Sequence, residues 1–383
     1  MIRISLLAAT ALVALATPAI AQAQKFDATL KAHAQLPAQT FLPAPADAPY
    51  SLTTSGRFTS GTRVEAPYGW ANPASGIAMP FPGQPLQGMS GTRSLGDDRF
   101  LLLTDNGFGA KNNSADAMLM FNIMKMNWDE GTVAIEETVF LKDSNRIVPF
   151  PIVTEHSDSR YLTGADFDPE SIQPVGDHYW IGDEFGPWLI EVDAEGVVLQ
   201  VIKTNPGGVD YMSPDNPGVQ TPAAGATVTN VNTGRSGGYE GMAQSMDGKT
   251  LYPLLEKPFY DAEAGTLESI DGKTVLRVLE FDVETASWSD TIRYYPLEDA
   301  GNAIGDFNII EGNRALVIER DNGEGDDGRD KAAAFKRIYL VDLDRADENG
   351  VLEKIAYIDL MTINDPEGVA PRGTVDGVFT FPF

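Results

Sequence analysis

The sequence predicts an all-β fold: a β-propeller of four-stranded antiparallel blades with an incomplete last blade. Three observations predict it. Helical periodicity is scarce after residue 51. Short runs of β-branched, aromatic and Leu residues alternate with Gly, Asp, Asn and Pro clusters. One unit, a polar or acidic residue followed by a strand, a turn, a second strand and an acidic end, recurs along the chain.

The segments 99–104, 179–183, 250–255 and 314–318 read as buried strands, being short apolar runs bounded by turn residues. Each is the second strand of a repeated hairpin. Gly88-Met89-Ser90-Gly91 runs into Leu103-Thr104-Asp105-Asn106, and Asp168-Pro169-Glu170-Ser171 into Ile181-Gly182-Asp183-Glu184. Gly238-Tyr239-Glu240-Gly241 runs into Leu255-Glu256-Lys257, and Gly305-Asp306-Phe307-Asn308 into Ile318-Glu319-Arg320. A second hairpin follows in each unit, at 118–141, 189–202, 278–295 and 338–360. Units begin at Ser90, Glu170, Glu240, Asp306 and Glu367, with spacings of 80, 70, 66 and 61 residues.

Two hairpins per unit make a four-stranded sheet, and strand-only repetition is what a propeller requires. A β-sandwich with accidental self-similarity is the competing architecture. The long period reflects loops such as 205–237 and 321–334.

The chain divides into three stretches. Residues 1–21 read as a cleavable export signal: Arg3, an apolar run to Ala16, Pro18, and the small-residue pattern Ala19-Ile20-Ala21. The run is shorter than the roughly 20 residues needed to span a bilayer, and no later segment reaches that length, so a periplasmic or secreted location is expected. Residues 22–50, rich in Ala, Gln and Pro, read as a flexible or extended lead-in. Residues 51–383 form the propeller domain.

Composition narrows the function. With 55 acidic against 28 basic residues, the formal charge is −27, which disfavours nucleic acid. Cysteine is absent, so neither disulfides nor thiol chemistry is available. His33, His156 and His178 are the only histidines, and no Gly-x-Ser-x-Gly elbow occurs; Gly88-Met89-Ser90-Gly91-Thr92 departs from it. A Ser-His-acid mechanism is therefore disfavoured and metal-activated water fits the inventory better.

In a propeller the innermost strands converge on one axis, so equivalent acidic positions meet. Glu170, Glu240, Asp306 and Glu367 are expected at one mouth of the channel, with Ser90 in the equivalent place of the first unit. Clustered carboxylates are costly unless they share a cation or bind protons. Oxygen ligands in a loose ring suit Ca²⁺ best, and Mg²⁺ or Mn²⁺ less well. The competing role for these acids is to end strands and accept bonds from backbone N–H groups. Lys257 and Arg320 each follow an acid in equivalent places and are expected to hold an anionic substrate group, unless they serve as plain salt bridges. The acidic loop 321–330 lacks the ligand spacing of an EF-hand.

The run Leu162-Thr163-Gly164-Ala165-Asp166-Phe167-Asp168-Pro169-Glu170-Ser171, followed by Trp180-Ile181-Gly182-Asp183-Glu184-Phe185-Gly186-Pro187, resembles the phytase-like family, named for an esterase-like activity of phytase. Gly238-Tyr239-Glu240-Gly241-Met242, Leu254-Leu255-Glu256-Lys257 and Glu319-Arg320-Asp321 match further motifs. The resemblance runs from about Gly88 to the end. It implies an exported propeller with phosphoester or ester hydrolase activity, without bringing a defined catalytic set; the Glu-Gly repeats alone also fit gluconolactonase- and paraoxonase-type metal propellers.

The expectation is thus a Ca²⁺-dependent hydrolase of small anionic esters. Glu170, Glu240, Asp306 and Glu367 lie near the metal, Asp168, Asp183 or Glu184 positions or deprotonates water, and Lys257 and Arg320 hold the anion. A non-catalytic propeller binding a ligand or partner, and a lactonase, are the alternatives. Similar proteins continue past Phe379-Thr380-Phe381-Pro382-Phe383 into another repeat, whereas this chain stops. An open blade edge and self-association through it are therefore expected.

Overall fold

The computed structural model describes residues 23–58, 63, 78–219, 230–261, 265–323 and 332–369, and the backbone of 374–375 and 378–379. The expected export signal, most of the acidic loop and the final Phe381 and Phe383 lie outside these residues.

Three short N-terminal strands, β1 (Gln24–Phe26), β2 (Phe41–Leu42) and β3 (Gln84–Pro85), precede the first large sheet. That sheet is antiparallel in the order β4 (Met89–Gly96), β5 (Arg99–Thr104), β6 (Met120–Asn127), β7 (Thr132–Phe140). Asp97 and Asp98, both at positive φ (51° and 59°), join β4 to β5 in a two-residue turn, whose twist matches that of the paired strands. The second sheet repeats the plan with β8 (Pro169–Val175), β9 (His178–Asp183), β10 (Trp188–Val192) and β11 (Val198–Lys203).

The third sheet is broken in its outer half. β12 (Gly241–Gln244) pairs with β13 (Thr250–Leu254). After the small ladders β14 (Tyr260–Asp261), β15 (Thr266–Leu267) and β16 (Ser269–Ile270), the third position is shared by β17 (Lys273–Val278) and β18 (Phe281–Asp282). The fourth is shared by β19 (Ser287–Trp288) and β20 (Arg293–Pro296). The fourth sheet holds β21 (Ala303–Glu311), β22 (Arg314–Arg320), β23 (Lys336–Ala346) and β24 (Leu352–Asp359). No α-helix occurs among the described residues, and no helix is long and apolar enough to cross a membrane.

The first strands of the sheets face one another: β4 packs on β8, β8 on β12, β12 on β21, and β21 on β4. At the last seam Asn308 Nδ2 donates to Thr92 O at 3.1 Å and Arg93 reaches Ile309 O at 3.3 Å. Apolar cores fill the spaces between successive sheets. Leu101, Phe121, Ile181 and Ile190 lie between the first and second, Trp180, Tyr239, Leu251 and Phe281 between the second and third, and Leu254, Val278, Phe307 and Val317 between the third and fourth. Burying such side chains contributes about 1.5–3 kcal/mol each. This propeller-like all-β architecture agrees with the sequence reading.

The lead-in is more ordered than its composition implies. Gln24–Phe26 adds to β24 as a parallel fifth strand, and Leu36 and Leu42 pack on Leu102 and Met124. Its few apolar residues find the exposed edge and face of the outer sheets, which periodicity does not register. β1 therefore covers an edge that would otherwise present unpaired backbone groups. At the C-terminus β25 (Thr374–Val375) and β26 (Val378–Phe379) form an antiparallel two-stranded ladder. Among the described residues this ladder joins none of the large sheets.

Candidate metal and active site

In an antiparallel hairpin the start of the first strand and the end of the second lie side by side, so Pro169 faces Asp183 and Gly241 faces Leu254. The two recurrent acidic positions of each repeat therefore gather at the same end of the inner strands. Backbone bonds then extend each hairpin to its acidic end, and one of them joins the third sheet to the second. Glu184 N–H donates to Asp168 O at 3.0 Å, Glu256 N–H to Gly238 O at 2.8 Å, and Tyr239 N–H to Asp183 O at 3.4 Å.

Two sets of carboxylates result. One oxygen each from Asp168, Glu170 and Glu184 lies within 4.8 Å of the others, and the same holds for Glu184, Glu240 and Glu256. Glu184 belongs to both. Asp168, Glu170, Glu184 and Glu256 are each at least nine-tenths buried. Asp105, at the end of β5, lies close enough for its charge to raise Asp168 and Glu170; its carboxylate lies over Gly88, where a Cβ would meet Asp105 Oδ1 at 2.4 Å and where φ is +63°, so only glycine fits.

Two like charges about 5 Å apart repel by about 3 kcal/mol at an effective dielectric of ~20. Burial adds to this, and the carboxyls respond together. Burial first, then the charges of Glu240, Asp168 and Glu184, pushes Glu170 well above its usual range. Burial, then Glu240 and Glu256, does the same to Glu184. Burial, then Glu256, raises Glu240 against the opposing pull of Arg320. Burial lifts Asp168 to about 6, even though a hydrogen bond with Glu170 opposes the rise.

The positive groups nearby are partly engaged. Arg320 Nη2 lies 3.2 Å from Glu256 Oε1 and 3.8 Å from Glu240 Oε1, with about a third of its side chain exposed. Lys257 Nζ lies 3.3 Å from Glu256 Oε2 and donates to Arg235 O at 2.7 Å and to Ser236 O. Both cations thus sit at the rim of the acidic group.

The donor set fits a hard divalent cation. Every donor is a carboxylate oxygen, as Ca²⁺ prefers, and Glu184 Oε1 is buried with no hydrogen-bond partner. Such an orphaned acceptor is costly unless something positive faces it.

The structure separates the residues expected from sequence. It brings Glu170, Glu240, Asp168 and Glu184 together with Lys257 and Arg320 at the rim. Asp183 is fully buried but occupied, accepting from Asp168 N–H at 2.9 Å and from Gly186 N–H at 2.6 Å; it shapes the turn that presents Glu184. Asp306 accepts from Phe307 N–H at 2.7 Å and from Asn308 Nδ2 at 3.1 Å, and it attracts Arg93 at the β21–β4 seam. Burial raises it to about 7. Ser90 is half-buried on β4, and Glu367 is exposed in a turn in which Gly368 N–H donates to Asp365 O. Neither Asp306 nor Glu367 is among the carboxylates that come within 4.8 Å of one another.

Glu256, in the second set, and Asp105, beside the first, were not among the expected site residues. Their signal was present, because they occupy the strand-ending position of their repeats as Glu184 does. None of the histidines joins the group: His178 Nδ1 pairs with Glu191 Oε1 at 2.8 Å on the outer part of the second sheet.

The fold and site define a propeller-like all-β protein with a buried carboxylate centre at one end of its inner strands. The chain belongs to the phytase-like family, described by the esterase-like activity of phytase, which matches residues 84–380. An uncharacterized secreted protein of Arthroderma benhamiae is 28% identical over 200 residues, covering 46% of this chain and 39% of that protein. The match therefore spans well under half of that relative's length. Among solved structures, a candidate 6-phosphogluconolactonase of Bacteroides fragilis aligns with a TM-score of 0.30 and 12% identity, covering 79% of each chain. PorZ, a surface component of the type-IX secretion system of Porphyromonas gingivalis, aligns with a TM-score of 0.33 and 13% identity over 73% of this chain and 27% of that one.

Proposed function

We propose that the protein is an exported hydrolase of phosphate esters or related esters that depends on a divalent cation, Ca²⁺ first. The observation that carries this reading is the unpartnered, buried Glu184 oxygen among carboxylates that share one end of the inner strands. Family membership supports the reaction class. Export is supported by the N-terminal charge and apolar pattern and by the secreted relative.

Asp168, Glu170 and Glu184 would hold the cation with Glu240 close by. When bound, it would polarise a substrate oxygen and make water more acidic. A carboxylate oxygen of Asp168 or Glu184 left off the cation would orient water and accept its proton, with Asp183 as a positioning residue. The exposed third of Arg320 and the exposed part of Lys257 offer an ester anion its contacts.

A second reading rests on the engagement of those same cations by Glu256. If they are only braces, the carboxylates would serve a lactonase or a ligand-binding propeller without an anion clamp. A panel of phosphate esters, carboxylic esters and lactones, assayed with Ca²⁺ and after its removal, tests the first reading. Arg320→Ala should abolish phosphate-ester turnover while leaving any lactone turnover intact. No turnover of any ester by folded, Ca²⁺-loaded protein would overturn the hydrolase reading.

A further inference from the structure

The carboxylates at the centre do not fit one coordination sphere. Ligand oxygens about 2.4 Å from a calcium ion can be no more than about 4.8 Å apart, and that limit is met by two separate sets, Asp168–Glu170–Glu184 and Glu184–Glu240–Glu256. Glu184 alone is common to both. It is 3% exposed, and its Oε1 takes no hydrogen bond among the described residues, so the carboxylate shared by the two sets carries a buried, unpartnered acceptor.

Charge points the same way. Five carboxylates converge, and the neighbouring positive groups are Arg320 and Lys257, which both lie on the side of Glu256. Among the described residues the Asp168–Glu170 side has no such counter-ion within salt-bridge distance. Against the five carboxylates, Arg320, Lys257 and one divalent ion leave one negative charge, and a second ion that displaces Arg320 brings the sum to zero.

We propose that the centre binds two divalent cations bridged by the Glu184 carboxylate, the second held by Glu184, Glu240 and Glu256 in competition with the Arg320 guanidinium. This rests on the cation-holding part of the reading above and adds a second site with its own control. Arg320 Nη2, 3.2 Å from Glu256 and 3.8 Å from Glu240, occupies the ligand side of the second site as a tethered monovalent substitute. The partly exposed guanidinium must swing outward when the second ion enters. That movement would carry it toward the rim, where a substrate anion would meet it. The first site has no competing cation and should fill first.

The test is calorimetric titration of Ca²⁺ into metal-free full-length protein, with thermal melting as a check on folding. Wild type should take up two ions per chain, the second more weakly. Glu256→Gln should leave one ion with its affinity changed less than about threefold. Arg320→Met keeps every ligand and removes the competing charge, so it should tighten the second ion by about tenfold or more; it also decides the matter if Glu256→Gln fails to fold. One ion per chain in wild type, or a second ion indifferent to Arg320→Met, would overturn the proposal. One ion with ester turnover leaves the hydrolase reading standing and removes this inference, whereas two ions without turnover does the reverse.

Discussion

Gly238 lies against Glu184 so closely that a Cβ built on it would come within 2.5 Å of Glu184 Cα and 2.7 Å of Asp183 O. This contact between the second and third sheets sets the distance between Glu184 and Glu240. Both obstacles are backbone, which cannot rotate away, so Gly238→Ala must push the two segments apart. We expect a loss of about 1–3 kcal/mol in stability, read by urea unfolding. Ca²⁺ binding should weaken at the same time, since the separation falls between the ligands. Unchanged Ca²⁺ affinity in a destabilised Gly238→Ala protein would show that this seam does not place the ligands.

Glu184→Gln removes the charge shared by the two carboxylate sets while keeping its shape. Without metal it should raise the melting temperature, because a buried, repelled carboxylate is replaced by an amide that can donate to its neighbours. The increase in melting temperature that Ca²⁺ gives wild type should largely vanish in the variant. Ester turnover, where present, should fall by about a hundredfold or more. Melting curves with and without Ca²⁺ check the first two statements, and initial rates check the third.

The metal-free protein should lose stability as pH rises from about 4 to about 7. Asp306 has a folded pKa of about 7 and Asp183 one of about 7, both raised from 3.8 by burial. The folded state therefore holds protons that the unfolded chain releases. Their contribution is fully present below the unfolded pKa and is lost as pH rises through the folded one. Arg93 faces Asp306 and moderates its rise, and Glu240 lies close enough for Asp306 to raise its pKa in turn. Asp306→Asn should flatten this pH dependence in part. Urea midpoints across that range are the measurement, and a midpoint that increases with pH in metal-free protein would contradict the assignment.

Removing residues 23–30 should uncover the edge of β24, which Gln24–Phe26 covers, and should also break the bond from Leu30 N–H to Asn364 O. The uncovered strand presents unpaired backbone groups. We expect lower stability and concentration-dependent association, visible by light scattering. A monomeric truncated protein with wild-type stability would show that β1 is dispensable.

The sequence by itself determined the strand-rich character, the four repeated hairpin pairs and the two acidic positions in each repeat. Period-two patterning and turn residues act over a few neighbours, so they are legible without the fold. It also pointed to Glu170, Glu240, Asp168 and Glu184, because equivalent repeat positions must converge in such an architecture.

The tertiary structure decided which equivalent positions meet. Asp306 and Glu367 carry the same repeat signal as Glu170 and Glu240. Asp306 is occupied by the backbone of Phe307 and by Asn308, and Glu367 lies in an exposed turn. Glu256 enters because hairpin pairing sets the end of β13 beside the start of β12. The difference is physical: a repeat fixes the chemistry offered at a position, but backbone bonds between sheets and the close approach at Gly238 fix which carboxylates come within reach of one cation.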